Sequence, residues 1–123
     1  MKELKKKLVE RAKVFLQHAK EDYEDGNFDV AMFNLEQAAQ LFLKAKILSF
    51  GVQFPKVHEI GKLLRILVEL GVKLDDLIKD REVIENLEIA YVSSRYLPFS
   101  FSERDVKEAL NFVEKLKERL WKE

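Results

Sequence analysis

Cysteine is absent from this sequence, which excludes disulfides, thiol catalysis and thiolate metal sites. Histidine occurs only twice, at His18 and His58, so an imidazole-based metal centre has almost nothing to draw on. Glycine (4) and proline (2) are scarce, and no Gly/Ser linker or low-complexity tract appears. Neither sign of charge is in excess: 22 basic residues face 22 acidic ones, so no global field advertises nucleic acid, a membrane or an acidic partner. There is no apolar run of about 18 residues for a membrane span. The opening Met1-Lys2-Glu3-Leu4-Lys5-Lys6-Lys7 leads into mixed residues rather than an apolar signal core, so neither a signal peptide nor a membrane association is expected. The expectation is a cytoplasmic protein. Extended alternation of apolar and polar residues, the pattern of a half-buried strand, is also missing.

Apolar residues at helical spacing fill the chain instead. Of 123 residues 47% are hydrophobic and 36% charged, enough for one domain, residues 1–123, with a proper core. The wealth of Lys, Glu and Arg is compatible with a thermophilic origin. Over 3–24, Leu4, Leu8, Ala12, Phe15, Ala19 and Tyr23 recur every three or four residues. Asp25-Gly26-Asn27 breaks that helix, with Asn27 in place to cap a second one over 28–50. Gly51-Val52-Gln53-Phe54-Pro55 is a loop. A third helix fits 59–70 on Ile60, Leu63, Leu64 and Leu67, and 73–79 forms a turn or a short helix. Residues 80–96 carry Val83, Ile84, Leu87, Ala90, Tyr91 and Ser94 on one face, and Leu97-Pro98 closes the segment. Ser102, with Asp105 three residues on, starts a last helix in the manner of a capping box. The connections are short. The expected fold is all-α, a four- to five-helix antiparallel up-and-down bundle.

The second helix is apolar around nearly its whole circumference. Phe28, Ala31, Leu35, Ala38, Phe42, Ala45 and Ser49 share one side, widened by Met32, Ala39 and Leu43. Such a helix is central and covered by several neighbours. Glu36, Gln37, Gln40 and Lys44 keep a narrow polar strip, expected to look out through a gap between those neighbours. Lys44 is either a snorkelling lysine or a positive charge brought to that gap. Asn34 falls toward the apolar side, where a buried polar tie between helices is the first expectation.

Candidate chemistry is sparse. His18 reads as a surface residue. His58, after Pro55-Lys56-Val57, is either a helix-start residue bonded to backbone or carboxylate, or a polar group at the mouth of a nucleotide or RNA groove. Arg95 shares a helix face with Glu88 and Tyr91 and stands beside Tyr96. A guanidinium between two tyrosines offers a fork for phosphate and rings for a base. An ion pair of Arg95 with Glu88, with the tyrosines in the core, is the equal alternative. No metal motif, phosphate loop or nucleophile elbow is present. No cofactor is expected.

Taken together, three pieces in order resemble the HEPN family, small helical domains associated with nucleotide and RNA binding. They are Phe33-Asn34-Leu35-Glu36-Gln37-Ala38-Ala39-Gln40-Leu41-Phe42-Leu43-Lys44-Ala45, then Pro55-Lys56-Val57-His58-Glu59-Ile60 with Leu63-Leu64, then Ala90-Tyr91-Val92-Ser93-Ser94-Arg95-Tyr96. The resemblance implies a bundle that dimerises with arginine-bearing helix ends beside a shared groove. Many members are metal-independent ribonucleases with an Arg-x4–6-His motif; others pair with a minimal nucleotidyltransferase in toxin–antitoxin modules. Counted from Arg95, the histidine position holds Ser100, Phe101 or Ser102. Without an imidazole there is no obvious base near neutral pH. With that departure, the resemblance implies a prokaryotic-type binding module that is non-catalytic or very weakly active, with Arg95, Tyr96, Tyr91, His58, Lys44 and Gln37 as ligand-binding candidates and no catalytic residue. Its expected partners are a nucleotide or RNA, a minimal nucleotidyltransferase and a second copy of itself, for which Phe54, Phe99 and Phe101 are exposed apolar groups. Two other classes compete. One is a ribonuclease using Arg95 with His58 or Tyr96. The other is a structural adaptor, since Asp25-Gly26-Asn27-Phe28-Asp29-Val30-Ala31 resembles one tetratricopeptide unit.

Overall fold

The computed structural model describes residues 2–96 and 100–122, with side chains for all of these except 93–96. It is all-helical among the described residues: α1 (Lys2–Glu24), α2 (Phe28–Leu48), α3 (Ile60–Glu69), α4 (Asp75–Ile78), α5 (Arg81–Tyr96) and α6 (Glu103–Leu120). Five helices of ten residues or more build the bundle, and α4 is a four-residue turn inside the expected 73–79 segment.

Three glycines set the helix ends. Gly26, Gly51 and Gly71 hold φ of 81°, 76° and 97°, the left-handed region that a side chain resists. Gly26 lets α1 reverse into α2 within three residues, so the two long helices lie antiparallel and packed along their length. Asn27 occupies the N-cap position of α2, but its side chain makes no capping bond. Ser102 does cap α6. Its hydroxyl accepts from the Asp105 N–H at 3.1 Å while Asp105 accepts from the Ser102 N–H at 3.0 Å, the expected capping box.

Helix α2 packs against α1, α3, α5 and α6, which is why its apolar residues run almost all the way round. Ala31, Met32, Leu35, Ala38, Ala39, Phe42, Leu43 and Ala45 are fully buried. The four alanines on that helix let neighbouring backbones come close, and Phe42, Met32 and the leucines fill the space between. Asn34 ties α2 to α1, its Nδ2 donating to Asp22 Oδ2 at 2.8 Å, as its position on the wheel implies. At the end of the bundle Trp121 donates its indole N–H to the Phe42 carbonyl at 3.1 Å and lies under Lys46. These contacts hold α2 as a rigid central rod, on which any group along its strip is fixed in position.

Besides the missing Asn27 cap and the burial of the α2 polar strip, two expectations about aromatic residues are corrected. Phe101 is 6% exposed, buried in the core, with its N–H donating to Asp29 at 2.9 Å, so it is not a free apolar surface group. Tyr91 is 40% exposed rather than part of the core face of α5, which among the described side chains is formed by Val83, Ile84, Leu87 and Ala90; the Ser94 side chain lies outside them. Phe54 is exposed as expected, and Phe99 lies outside the described residues.

Candidate functional site

The polar strip of α2 is not open to solvent. Glu36 is 1% exposed, Gln40 and Lys44 7% each. These three residues stand at i, i+4 and i+8, so they form one line along the helix. Gln37 Nε2 donates to Glu36 Oε1 at 2.8 Å, and Gln40 Nε2 donates to Glu36 Oε2. Both carboxyl oxygens are thus satisfied by neutral amides, and among the described residues no buried side-chain polar atom lacks a partner.

Burial dominates the ionisation of this line. It raises the Glu36 carboxyl to about 7, against the lowering pull of the bonds from Gln40 and Gln37 and the charge on Lys44. The nearby carboxylate of Glu88 on α5 adds to the rise. Burial also lowers the Lys44 ammonium from its ordinary value, and Glu36 opposes that. A buried carboxyl raised to about 7, on one line with a lysine two turns along whose ammonium burial lowers, is a combination met at functional sites more often than in inert cores.

The outer end of the line reaches the surface. Lys44 Nζ lies 3.2 Å from His58 Nδ1 and 5.6 Å from the centre of the Phe54 ring. The His58 imidazole stacks on Tyr91 of α5, ring centres 5.8 Å apart and planes 24° from parallel. His58, Phe54 and Tyr91 are exposed. The mouth therefore combines one cation with three aromatic faces, drawn from α2, the 49–59 loop and α5. A charged lysine has only donors, so it bonds to Nδ1 as acceptor and leaves the proton of a neutral His58 on Nε2.

Of the six candidates, Lys44, His58 and Tyr91 meet at this mouth, and Gln37 stands at the opposite, buried end of the strip, bonded to Glu36. Arg95 and Tyr96 close α5, one turn beyond Tyr91, and their side chains lie outside the described residues. Glu88 accepts from the Gly61 backbone N–H at 2.9 Å. His18 is exposed on α1. The sequence places Glu36 and Gln40 on this strip without naming either as a ligand-binding candidate, although their i, i+4, i+8 line with Lys44 is legible there. Sequence reasoning missed Phe54 as a partner of Lys44; no local pattern announces a contact made by a loop folding back. Among the described residues no group of three or more His, Asp or Glu could hold a metal.

The crystal structure of TT1696 from Thermus thermophilus is similar, with a TM-score of 0.79 and 28% identity over 94% of each chain. No curated protein matches the sequence significantly. The model of the HEPN domain family matches residues 6–123, which takes in α2, the Lys44–His58–Tyr91 mouth and the final helix together. On that match, the chain belongs to the HEPN domain family.

Proposed function

We propose that this protein is a cytoplasmic nucleotide- or RNA-binding HEPN module, not itself catalytic, acting as a homodimer with a minimal nucleotidyltransferase in a toxin–antitoxin-type system. The observation that carries the binding role is the mouth itself: Lys44 beside His58, with His58 stacked on Tyr91. Aromatic faces accept bases without regard to sequence, and a lysine adjacent to them meets phosphate. Arg95, one turn along α5, belongs to the same end of the helix and supplies the guanidinium of this reading. Val92, 52% exposed, sits next to Tyr91 and Phe54 is 44% exposed; this apolar margin supports a second copy covering that end of the bundle.

Calorimetric titration with nucleotides and short single-stranded RNA tests the binding role. Wild type is expected to bind with an affinity that falls as salt rises, and Arg95→Ala to weaken it by about tenfold or more. No heat with wild type under low salt removes the ligand from this account.

One observation favours a second reading, a metal-independent ribonuclease. The imidazole missing at 100–102 has a counterpart in His58, which stacks one turn before Arg95 on α5. RNA incubated with the purified protein in EDTA decides between the two. Cleavage lost in both Arg95→Ala and His58→Ala establishes the enzyme; intact RNA leaves the binding module.

A further inference from the structure

A second concavity, separate from the mouth, lies between α3 and α5. Its volume is about 670 Å³, within the range of small-molecule sites. Arg81, Ile84, Glu85 and Glu88 line it from α5, at i, i+3, i+4 and i+7, and Gly61, Lys62 and Arg65 line it from α3. Ile84 and Ile78 provide an apolar floor. Gly61 brings α3 close to α5 here: a Cβ there would lie 3.3 Å from Glu88 Oε2 and 3.6 Å from Ile84, crowding the Glu88 carboxylate.

Charge is sorted along the groove. Gly61 meets Glu88 and Ile84, while the short α4 segment links the end of α3 to the start of α5, so the two helices run in opposite directions. Arg65 and Arg81 therefore fall toward one end and Glu88 toward the other, with Arg81 and Glu88 separated by about 10 Å along α5. Glu59 and Lys62 neutralise each other at 3.4 Å. The side chains of Arg65, Arg81 and Glu85 make no hydrogen bond or ion pair with any described residue. Arg81 and Glu85 are one turn apart and still do not pair. Glu88 spends one oxygen on the Gly61 N–H, and its other oxygen has no partner among the described residues. Two guanidiniums thus stand at one end and Glu88 at the other, with Glu85 between them one turn from Arg81, over an apolar floor.

We propose that this groove is a second ligand site, for an elongated small zwitterion. An anionic head, carboxylate or phosphate, lies between Arg65 and Arg81, and an ammonium group reaches Glu85 and Glu88 across an aliphatic stem on Ile78 and Ile84. Guanidinium forks accept either anion, so the shared chemistry is an oxyanion joined to an amine. A simple anion gains the arginines but meets the carboxylates; a simple amine gains the carboxylates but meets the arginines. Only a ligand carrying both charges satisfies the groove.

The test is a titration followed by two-dimensional amide and methyl NMR, with aminohexanoate and aminopentyl phosphate as the two zwitterionic probes. Hexanoate, inorganic phosphate and pentylamine are the single-ended controls. The expected result is saturable shifts at Gly61, Arg65, Ile84 and Glu85 with at least one zwitterion, about tenfold tighter than with any control. The stronger of the two zwitterions identifies the anion. Arg65→Gln with Arg81→Gln is expected to abolish the preference, as is Glu85→Gln, all three being exposed positions that leave the core intact. Shifts absent with every probe, or equal for zwitterions and controls, overturn the proposal. The Lys44–His58 mouth contributes no residue to this readout, so the outcome is independent of RNA binding.

Discussion

Helix α2 has two unlike parts, and both are buried. Around most of its circumference Ala31, Leu35, Ala38, Phe42 and Ala45 pack with no polar group to satisfy except Asn34. Along one line, Glu36, Gln40 and Lys44 are almost as inaccessible, yet each carries a group that water would solvate better. The first part is what holds the bundle together. The second is a cost the fold carries, met by amide bonds at one end and released at the surface by Lys44, His58 and Tyr91. The contrast teaches that burial alone does not mark a core. A line of polar residues kept inside a packed helix and leading to one exposed mouth is the feature on which the proposed binding site rests.

Phe42→Ala is expected to lower stability by about 3–5 kcal/mol, since Phe42 is fully buried and the cavity cannot collapse against a central helix. Urea unfolding measures it; a loss under about 1 kcal/mol would mean that α2 is not the packed centre.

On the polar line the expected effect depends on pH. The Glu36 carboxyl is raised from an ordinary 4.5 to about 7, so between those values the folded protein holds a proton that the unfolded chain releases. The Glu36 contribution to stability is then greatest below about 4.5, falls as pH rises through the window and is flat above about 7, a change of about 3 kcal/mol at most. Lys44, lowered from its ordinary value, acts with the opposite slope at higher pH. In Glu36→Gln the fall through this window should disappear. Urea midpoints at about pH 5 and about pH 8 check it; an undiminished fall in the variant assigns the titration elsewhere.

The smallest effect sharpens the boundary between the two parts. Asn34→Ala removes the bond to Asp22 that ties α2 to α1 and is expected to cost about 1 kcal/mol, with RNA binding unchanged. A loss of binding in that variant would extend the site across to α1.

Much of this arrangement is legible in the sequence, for identifiable reasons. Helical periodicity, the Gly26 and Gly51 stops and the Ser102–Asp105 capping box are local signals, and the helices follow them closely. The strip on α2 is legible as residues but not as an environment. Its burial depends on α5 and on the 49–59 loop folding against α2, contacts that no spacing rule contains. His58 is fourteen residues from Lys44 and thirty-three from Tyr91, so their meeting is a property of tertiary packing. Phe101 shows the same limit in reverse. A phenylalanine between serines looks like a loop residue, yet the Asp29 carboxylate anchors its backbone and the ring is buried.

The proposed binding role requires that the buried polar line of α2 deliver Lys44 to a ligand at the His58–Tyr91 mouth. Fluorescence anisotropy of a labelled short RNA, titrated with wild type, Lys44→Met and a Lys20→Met control on α1, tests it most directly. Tighter binding by wild type and the control, with Lys44→Met weaker by about tenfold, is the result this account predicts. Equal binding by all three proteins, with Lys44→Met folded, would contradict it.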